Sequence, residues 1–198
     1  MNMIFATGNQ GKVREVKMML EDANIDLEMM TLKEAGIDVD IEENGTTFEE
    51  NAIIKAKTIM EMTGKIAMAD DSGLEVDYLD KAPGIYSARF LGEDTPYSVK
   101  NKYIIEKLEG VEGDARSARF VCVIAVAFPD GEIITAKGTI EGLITTEERG
   151  MNGFGYDPIV YVPEYGMTTG EMDPHLKNSI SHRGRALKKM IGLLKERV

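Results

Sequence analysis

The feature that most restricts the fold is a pair of long apolar runs that flank the tripeptide PDG at residues 129–131. The first run, SARFVCVIAVAF, covers residues 117–128, and the second, EIITAKGTIEGLI, covers residues 132–144. Both are rich in β-branched residues, and Asp-Gly is a pair typical of tight β-turns. The pattern predicts a long β-hairpin, so the fold must contain at least one antiparallel pair of strands.

Helical and strand patterns alternate along the rest of the chain. Thr47 and Glu50 form a capping-box pattern, and Gly64 follows the last residue of that helical pattern. We predict strands at residues 2–6, 25–31, 66–69, 74–79 and 158–163, and helices at residues 11–22, 46–64, 95–110 and 181–198. This mixture predicts an α/β (mixed α+β) fold, in which helices flank a central twisted mixed sheet.

The length of the chain suits one domain. The sequence has 198 residues and contains neither an internal repeat nor a linker-like segment. We therefore expect residues 1–198 to form a single domain. Because the hairpin can extend beyond the core, we expect that domain to have two lobes around a cleft.

Composition excludes several classes of protein. The formal net charge is −11, so a broad nucleic-acid-binding surface is not expected. No run of about 18 apolar residues is present, so we expect no membrane span. The N-terminal residues lack a charged segment before an apolar stretch, and the single cysteine, Cys122, fits a reducing compartment. We therefore expect a cytoplasmic protein.

The stretch FATGNQGKV at residues 5–13 has the features of an anion-binding turn. A predicted strand leads into a turn that contains Gly8 and Gly11, and a helix follows. Thr7, Asn9 and Lys12 add donor groups. The spacing is not that of a Walker A loop. An ordinary turn with a solvated lysine remains an alternative.

Charged and amide groups surround the predicted helix at residues 46–64. The segment DIEENG precedes it and supplies Glu42 and Glu43, which are candidate ligands or simple surface charges. Asn51 and Lys55 are four residues apart and therefore share one helical face. That face borders the apolar stripe, so both side chains can line a cleft, although a lysine that reaches past the core to solvent gives the same pattern.

The segment MADDSGL at residues 68–74 places two neighbouring aspartates between predicted strands. Asp70 and Asp71 repel each other unless a cation lies near them. Carboxylate oxygens suit Mg²⁺, which also binds substrate phosphates. We therefore predict a magnesium site at the end of a strand, with a surface Asx-turn as the alternative. The motif differs from a nucleophile elbow, so Ser72 is not interpreted as a nucleophile.

Two further stretches carry polar and aromatic groups suited to a base. GFGYDP places Phe154 between two glycines, where its ring can stack on a nucleobase, and Tyr156 or Asp157 can then reach the base edge. SHRGR places His182 and Arg183 in the first turn of a helix, where cations are disfavoured by the helix dipole unless they face an electron-rich acceptor.

Together, five motifs resemble the inosine/xanthosine triphosphate pyrophosphatase family over nearly the whole chain. They are TGNQGK, FEENAIIKAK, ADDSGLEVDYLDKAPGIYSARF, GFGYDP and SISHRGRAL. The family hydrolyses noncanonical purine nucleoside triphosphates (ITP, dITP and XTP) to the monophosphate and pyrophosphate with Mg²⁺. Its members are usually homodimers with an elongated mixed α/β fold. The resemblance therefore implies a small-molecule nucleotide substrate, a homodimer and a role in cleansing the nucleotide pool.

The resemblance also implies roles for individual residues. Asp71 matches the general base, Lys12 and Lys55 match the lysines that contact phosphate, and Ser72 matches a residue beside the substrate. The metal neighbourhood is Glu42, Asp70 and Asp71. The triphosphate loop is Thr7, Gly8, Asn9, Gln10, Gly11 and Lys12. The base-binding residues are Phe154, Gly155, Tyr156, Asp157, Lys177, His182 and Arg183.

Two other functions fit parts of the sequence. A Maf-like pyrophosphatase would act on modified pyrimidine triphosphates, but the GFGYD and SHR stretches argue against it. A non-enzymatic sensor of inosine nucleotides would need no hydrolytic metal site, so the paired aspartates argue against that function.

Overall fold

The computed structural model describes residues 2–197 of the chain. It contains, in chain order, β1 Asn2–Phe5, α1 Gln10–Asp22, β2 Glu28–Thr31, α2 Phe48–Thr63, β3 Ala67–Val76, α3 Tyr97–Lys107, β4 Ser117–Ala127, β5 Ile133–Ile144, β6 Val160–Val162, β7 Met167–Thr168, α4 Pro174–Ile180 and α5 His182–Arg197. Short 3-10 helices cover Asp77–Leu79, Gly84–Tyr86, Gly113–Arg116, Asp157–Ile159 and Pro163–Tyr165.

Among the described residues, seven strands form one mixed sheet in the order β2-β1-β3-β4-β5-β6-β7. The strand β1 runs parallel to β2 and to β3, whereas β6 runs antiparallel to β5 and to β7. Strands β4 and β5 are neighbours joined by a short turn, as the PDG pattern predicts. The predicted mixed α/β fold is confirmed. Within residues 2–197, no helix has the length and apolar character needed to cross a membrane.

The described residues pack as two compact units. The first unit comprises residues 2–71, 122–138 and 182–197, and the second comprises residues 72–121 and 139–181. Each has its own apolar core. The core of the first unit is formed by β1, α1 and α5 with parts of β3, β4 and β5, and includes Phe5, Val16, Ile124 and Met190. The core of the second includes Leu74, Ile104, Ile140 and Ile159.

Helix α5 packs tightly on β5 inside the first unit. A Cβ atom at Gly138 of β5 would overlap the backbone carbonyl of His182 and would lie 2.5 Å from the backbone nitrogen of Ala186. Only glycine therefore allows this approach of helix to strand. The contact fixes where the first turn of α5 lies.

The acidic segment differs from the sequence prediction. Two separate strands at 66–69 and 74–79 were predicted on either side of DDSG, but β3 runs without interruption through Asp70 and Asp71. The predicted break between two strands is wrong, as is the alternative of a surface Asx-turn, because basic side chains contact both carboxylates and allow the strand to bury them. These aspartates therefore lie inside a strand rather than at its end.

Helix α4 was not predicted, although its signals are present in the sequence. The carboxylate of Asp173 accepts hydrogen bonds from the backbone N–H groups of His175 and Leu176, at 2.9 and 3.4 Å. Pro174 occupies the first turn, as is common in helices. Ser181 directly precedes α5, as predicted, and the predicted helix end at Val198 lies outside the described residues.

The second unit contains a buried arginine that satisfies backbone carbonyls. Arg116 donates from Nη1 to the carbonyls of Leu108 and Val111, at 2.8 and 2.9 Å. Its Nε and Nη2 donate to Ile144 and Thr145, at 2.6 and 2.7 Å. This side chain thus ties the segment after α3 to the end of β5.

We expect Arg116→Met to lower the free energy of unfolding by about 2–4 kcal/mol, because it leaves several carbonyl groups without donors. Urea unfolding measures the change. The matched control is Arg14→Met at an exposed position of α1, which we expect to change stability by less than about 0.5 kcal/mol. Equal effects of the two substitutions would show that the carbonyl contacts do not stabilise the second unit.

Candidate active site

The carboxylate of Asp70 lies at the centre of a buried charge cluster in the first unit. The side chain is 1% exposed, and its Oδ2 lies 3.0 Å from Nζ of Lys12. Nε and Nη2 of Arg183 both lie 3.3 Å from the same oxygen. Arg183 also donates to the carboxylate of Glu15, and the thiol of Cys122 lies 3.9 Å from Asp70.

The start of α1 places Lys12 in this cluster. Asn9 caps the helix, since its Oδ1 accepts hydrogen bonds from the backbone N–H groups of Gly11 and Lys12, at 2.9 and 3.2 Å. Thr7 in turn accepts a bond from the N–H of Asn9 at 3.2 Å. Glu15 lies one turn after Lys12 on the same helical face, so α1 brings both a cation and an anion to the cluster.

Asp71 has different surroundings from Asp70. Its Oδ1 lies 3.6 Å from Nζ of Lys55 in α2, and the same ammonium lies 2.7 Å from Oε1 of Glu43. Lys55 is thus shared between two carboxylates. Glu42, which the resemblance places near the metal, is exposed, and its neighbour Glu43 is the residue that contacts Lys55.

The pKa values of the two aspartates are shifted in opposite directions. Burial raises the pKa of Asp71, and the opposing charge of Lys55 does not fully offset that effect. Burial alone would also raise the pKa of Asp70, but Lys12, Arg183 and Lys55 outweigh it and hold the pKa of Asp70 well below the usual range. Nearby cations therefore outweigh the cost of burying the charge of Asp70, whereas they do not outweigh that cost for Asp71.

Each aspartate keeps one buried oxygen without a hydrogen-bond partner among residues 2–197. These atoms are Oδ1 of Asp70 and Oδ2 of Asp71. Nδ2 of Asn51, which is buried in α2 one turn before Lys55, is a third such atom. The Oδ1 of Asn51 accepts a bond from the backbone N–H of Gly45 at 2.8 Å. The unpartnered carboxylate oxygens fit a hard divalent cation, and the unpartnered amide fits an anionic oxygen.

In the part of the chain that the structure describes, no three His, Cys, Asp or Glu side chains converge as a complete metal site. A cation held by Asp70 and Asp71 would therefore take its remaining oxygen ligands from water and from substrate phosphate. This is the usual arrangement for Mg²⁺ at phosphate-binding sites.

A second polar cluster lies in the second unit around Asp157. Its Oδ2 accepts bonds from Nζ of Lys177 at 2.6 Å and from the backbone N–H of Phe154 at 2.8 Å. Its Oδ1 accepts a bond from the hydroxyl of Thr169 at 2.8 Å. The Lys177 ammonium also lies 5.1 Å from the centre of the Phe154 ring. The loop that carries Phe154 is thus held by a buried carboxylate, and the ring lies against a cation.

Comparison with known proteins identifies the family. The model of the Ham1 family matches residues 3–193. The chain belongs to the Ham1 family. A dITP/XTP pyrophosphatase from Bacillus licheniformis is 52% identical over 97% of each chain. A dITP/XTP pyrophosphatase from Desulforamulus reducens is 50% identical over 98% of this chain and 96% of that protein. The solved structure of the Staphylococcus aureus Ham1 protein is 39% identical, covers 100% of both chains and has a TM-score of 0.88.

The match to the Ham1 family confirms the resemblance drawn from the five motifs. The structure distributes the predicted site residues over the two units. The first unit holds Thr7, Gly8, Asn9, Gln10, Gly11, Lys12, Glu42, Asn51, Lys55, Asp70, Asp71, His182 and Arg183. The second unit holds Ser72, Phe154, Gly155, Tyr156, Asp157 and Lys177.

Arg183 has a different environment in this Ham1 chain from the one that its motif suggests. The sequence predicts that it closes over a base, whereas the structure buries its guanidinium against Glu15 and Asp70. Glu15 was not predicted as a site residue. Its spacing of three residues from Lys12 on a helix was the available signal, but a carboxylate in a helix is more often solvated than buried.

We expect Asp70→Asn and Asp71→Asn to have unequal effects on metal-free protein at pH 7. Loss of the Asp70 charge leaves buried cations uncompensated and should lower the free energy of unfolding by about 3 kcal/mol. Asp71→Asn should leave stability unchanged or raise it, because folding already disfavours the charged form of Asp71 and Lys55 keeps Glu43 as a partner. Urea unfolding with a chelator present measures both.

The pH dependence of stability follows from the lowered pKa of Asp70. Its contribution is complete above the unfolded-state pKa of about 4 and is lost as the pH falls towards the lower folded-state pKa. The difference between wild type and Asp70→Asn should therefore shrink below about pH 4. A larger loss for Asp71→Asn than for Asp70→Asn at pH 7 would contradict the assignment.

Proposed function

We propose that the chain hydrolyses ITP, dITP and XTP between the α- and β-phosphates and releases a nucleoside monophosphate and pyrophosphate. The observation that carries this proposal is the pair of buried carboxylates, Asp70 and Asp71, that lie beside Lys12 and Lys55 and each keep an unpartnered oxygen. The printed names of the relatives, at 50–52% identity over nearly the full chain, support the substrate class.

The first unit is proposed to bind the triphosphate tail. Lys12 and Lys55 would neutralise phosphate oxygens, because both ammonium groups lie at the edge of the carboxylate cluster and are partly accessible. The loop from Thr7 to Lys12 would add donors at the start of α1, where anions are favoured by the helix dipole. A Cβ atom at Gly8 would meet nothing within 4 Å, so this loop has room for a ligand.

Asp70 and Asp71 are proposed to hold Mg²⁺, with Glu42 or Glu43 nearby. When bound, Mg²⁺ would neutralise charge on the phosphate oxygens and polarise the bond that is cleaved. The unpartnered oxygens of the two aspartates are the groups suited to bind it. Asp70, which Lys12 and Arg183 keep ionised, supplies a fixed negative charge at the site.

Asp71 is proposed to be the general base. Its Oδ1 lies near Lys55, and its Oδ2 has no hydrogen-bond partner among residues 2–197, so Oδ2 is available to accept a proton from water. Asp71 would orient a water molecule and accept its proton as the water oxygen bonds to phosphorus. The phosphoanhydride bond then breaks, and pyrophosphate leaves with the electron pair of that bond while Lys12 and Lys55 balance its charge.

The second unit is proposed to recognise the purine. Phe154 would stack on the base, and Lys177 and Asp157 would meet polar groups at its edge. From the first unit, His182 is proposed to contribute a donor to the 6-keto oxygen of hypoxanthine or xanthine, whereas Arg183 is held by Glu15 and Asp70. Adenine presents an amino donor at that position, so it would leave such donors unpaired. Ser72 is proposed to lie beside the substrate.

We further propose that residues 1–198 act as one catalytic domain, that the protein is a cytoplasmic homodimer and that it binds no nucleic acid. The net charge of −11 supports the last point, because a polyanion would be repelled by most of the surface. The proposed substrates are free nucleotides, so their hydrolysis would remove noncanonical purines from the nucleotide pool.

A nucleotide panel tests the proposed reaction. With Mg²⁺, dITP, ITP and XTP should yield pyrophosphate at rates on the order of 10-fold to 100-fold above ATP, because of the unpaired donors that adenine leaves. Removal of Mg²⁺ with a chelator should abolish release. Orthophosphate as first product, equal rates on ATP, or preference for modified pyrimidine triphosphates would each contradict the proposal.

Asp71→Asn tests the general base. We expect turnover of dITP to fall about 1,000-fold, because the amide cannot accept the proton of the water molecule, while dITP still binds. The matched control is Asp26→Asn, an exposed aspartate of the first unit, which should retain full turnover. Product release measured by single-turnover kinetics gives the comparison. A variant of Asp71 that keeps near-wild-type turnover would exclude the role.

A further inference from the structure

The loop at residues 153–157 packs against helix α3 within the second unit. Gly155 has a φ of +66°, and a Cβ atom there would lie 3.6 Å from the ring of Tyr97 in α3. The ring of Tyr97 also meets the ring of Tyr156 edge-on, with 5.1 Å between centroids. The hydroxyl of Tyr156 donates to the carbonyl of Ser87 at 2.7 Å. The middle of the loop is therefore shaped by contacts outside the loop.

Asn101 of α3 bonds directly to the backbone of this loop. It is 1% exposed, and its Nδ2 donates to the carbonyl of Gly155 at 3.3 Å and to Oε1 of Glu148 at 2.7 Å. Both partners can only accept hydrogen bonds, so the orientation of the amide is fixed by chemistry. The two bonds use both protons of the Asn101 amide.

The oxygen of this amide is less well satisfied than its nitrogen. Oδ1 of Asn101 is buried without a hydrogen-bond partner among the described residues. A buried polar group of this kind needs an explanation, because an apolar side chain would avoid the unpaired acceptor. The contacts support one explanation. The Nδ2 group of Asn101 has two protons, and a side chain of this length can donate them to Glu148 and to Gly155 at the same time.

We propose that Asn101 is a positioning residue for purine recognition, which fixes the carbonyl of Gly155 and thereby the place of Phe154, directly before it, and of Asp157, two residues after it. This inference rests on the proposed function of the loop as the base-binding segment. Asn101 has no role in the chemical step. It acts through the loop backbone, so its loss should weaken base selectivity and substrate binding more than it slows hydrolysis.

The substitution Asn101→Asp removes the hydrogen-bond donor of the side chain but keeps its size and shape. The side chain loses both amide protons. The carbonyl of Gly155 then lacks its donor, and the new carboxylate either repels the carboxylate of Glu148 or shares one proton with it. We expect KM for dITP to rise about 10-fold, kcat to change less than about 2-fold, and the preference for dITP over dATP to fall about 10-fold. Amide hydrogen exchange of residues 153–157 in the free protein should become faster.

A double variant, Asn101→Asp with Glu148→Gln, distinguishes the effect of the hydrogen bond to position 148 from that of the hydrogen bond to Gly155. The new glutamine amide can donate to Asp at position 101, so the contact between positions 101 and 148 is restored with its direction reversed. The carbonyl of Gly155 still lacks its donor. We therefore expect thermal stability to recover while selectivity, KM and loop exchange stay altered.

The control is Lys102→Ala on the exposed side of the same helix, whose side chain is 76% exposed. It should leave all readouts unchanged. The inference is overturned if Asn101→Asp lowers only thermal stability, or if the double variant regains selectivity together with stability. Wild-type protein that releases no pyrophosphate from dITP would instead overturn the proposed function, and loop exchange in Asn101→Asp would still report whether Asn101 holds the loop.

Discussion

The burial of the Asp70 carboxylate inside a strand is the constraint around which the first unit is organised. A buried carboxylate is stable only with cations beside it, and two different helices supply them. Lys12 comes from the start of α1, and Arg183 comes from the start of α5. Gly138 permits the close approach of α5 that brings Arg183 to this place. One electrostatic requirement thus fixes the positions of a strand and two helices.

The neighbouring carboxylates lie in different charge environments, and the proposed mechanism assigns them different tasks. Asp70 is compensated by several cations and stays ionised, so it provides a permanent charge. Asp71 shares Lys55 with Glu43, and burial raises its pKa in the metal-free protein. Placement of adjacent residues in different charge environments is a common way to obtain an acid–base group beside a fixed ion. The proposed chemistry depends on this difference.

Much of the fold followed from the sequence because its signals are local. The PDG turn predicted that β4 and β5 are neighbours. Thr47 and Gly64 predicted the ends of α2, and in the structure Thr47 caps the helix and Gly64 adopts a positive φ. The course of β3 through its aspartates depends instead on Lys12 and Arg183, which are far away in sequence. The roles of Glu15 and Asn101 likewise depend on tertiary contacts, which periodicity cannot reveal. The sequence therefore identified the motif residues, but it did not show which side chains contact them.

The central claim is that the cluster around Asp70 and Asp71 gathers the triphosphate tail through lysines and a divalent cation. The most direct measurement is a crystal structure of the Asp71→Asn protein with dITP and Mg²⁺, in which slow turnover preserves the substrate. The account predicts phosphate oxygens in contact with Lys12 and Lys55, and a cation bound to Asp70. A triphosphate tail bound away from these side chains, or a cation that does not contact Asp70, would contradict it.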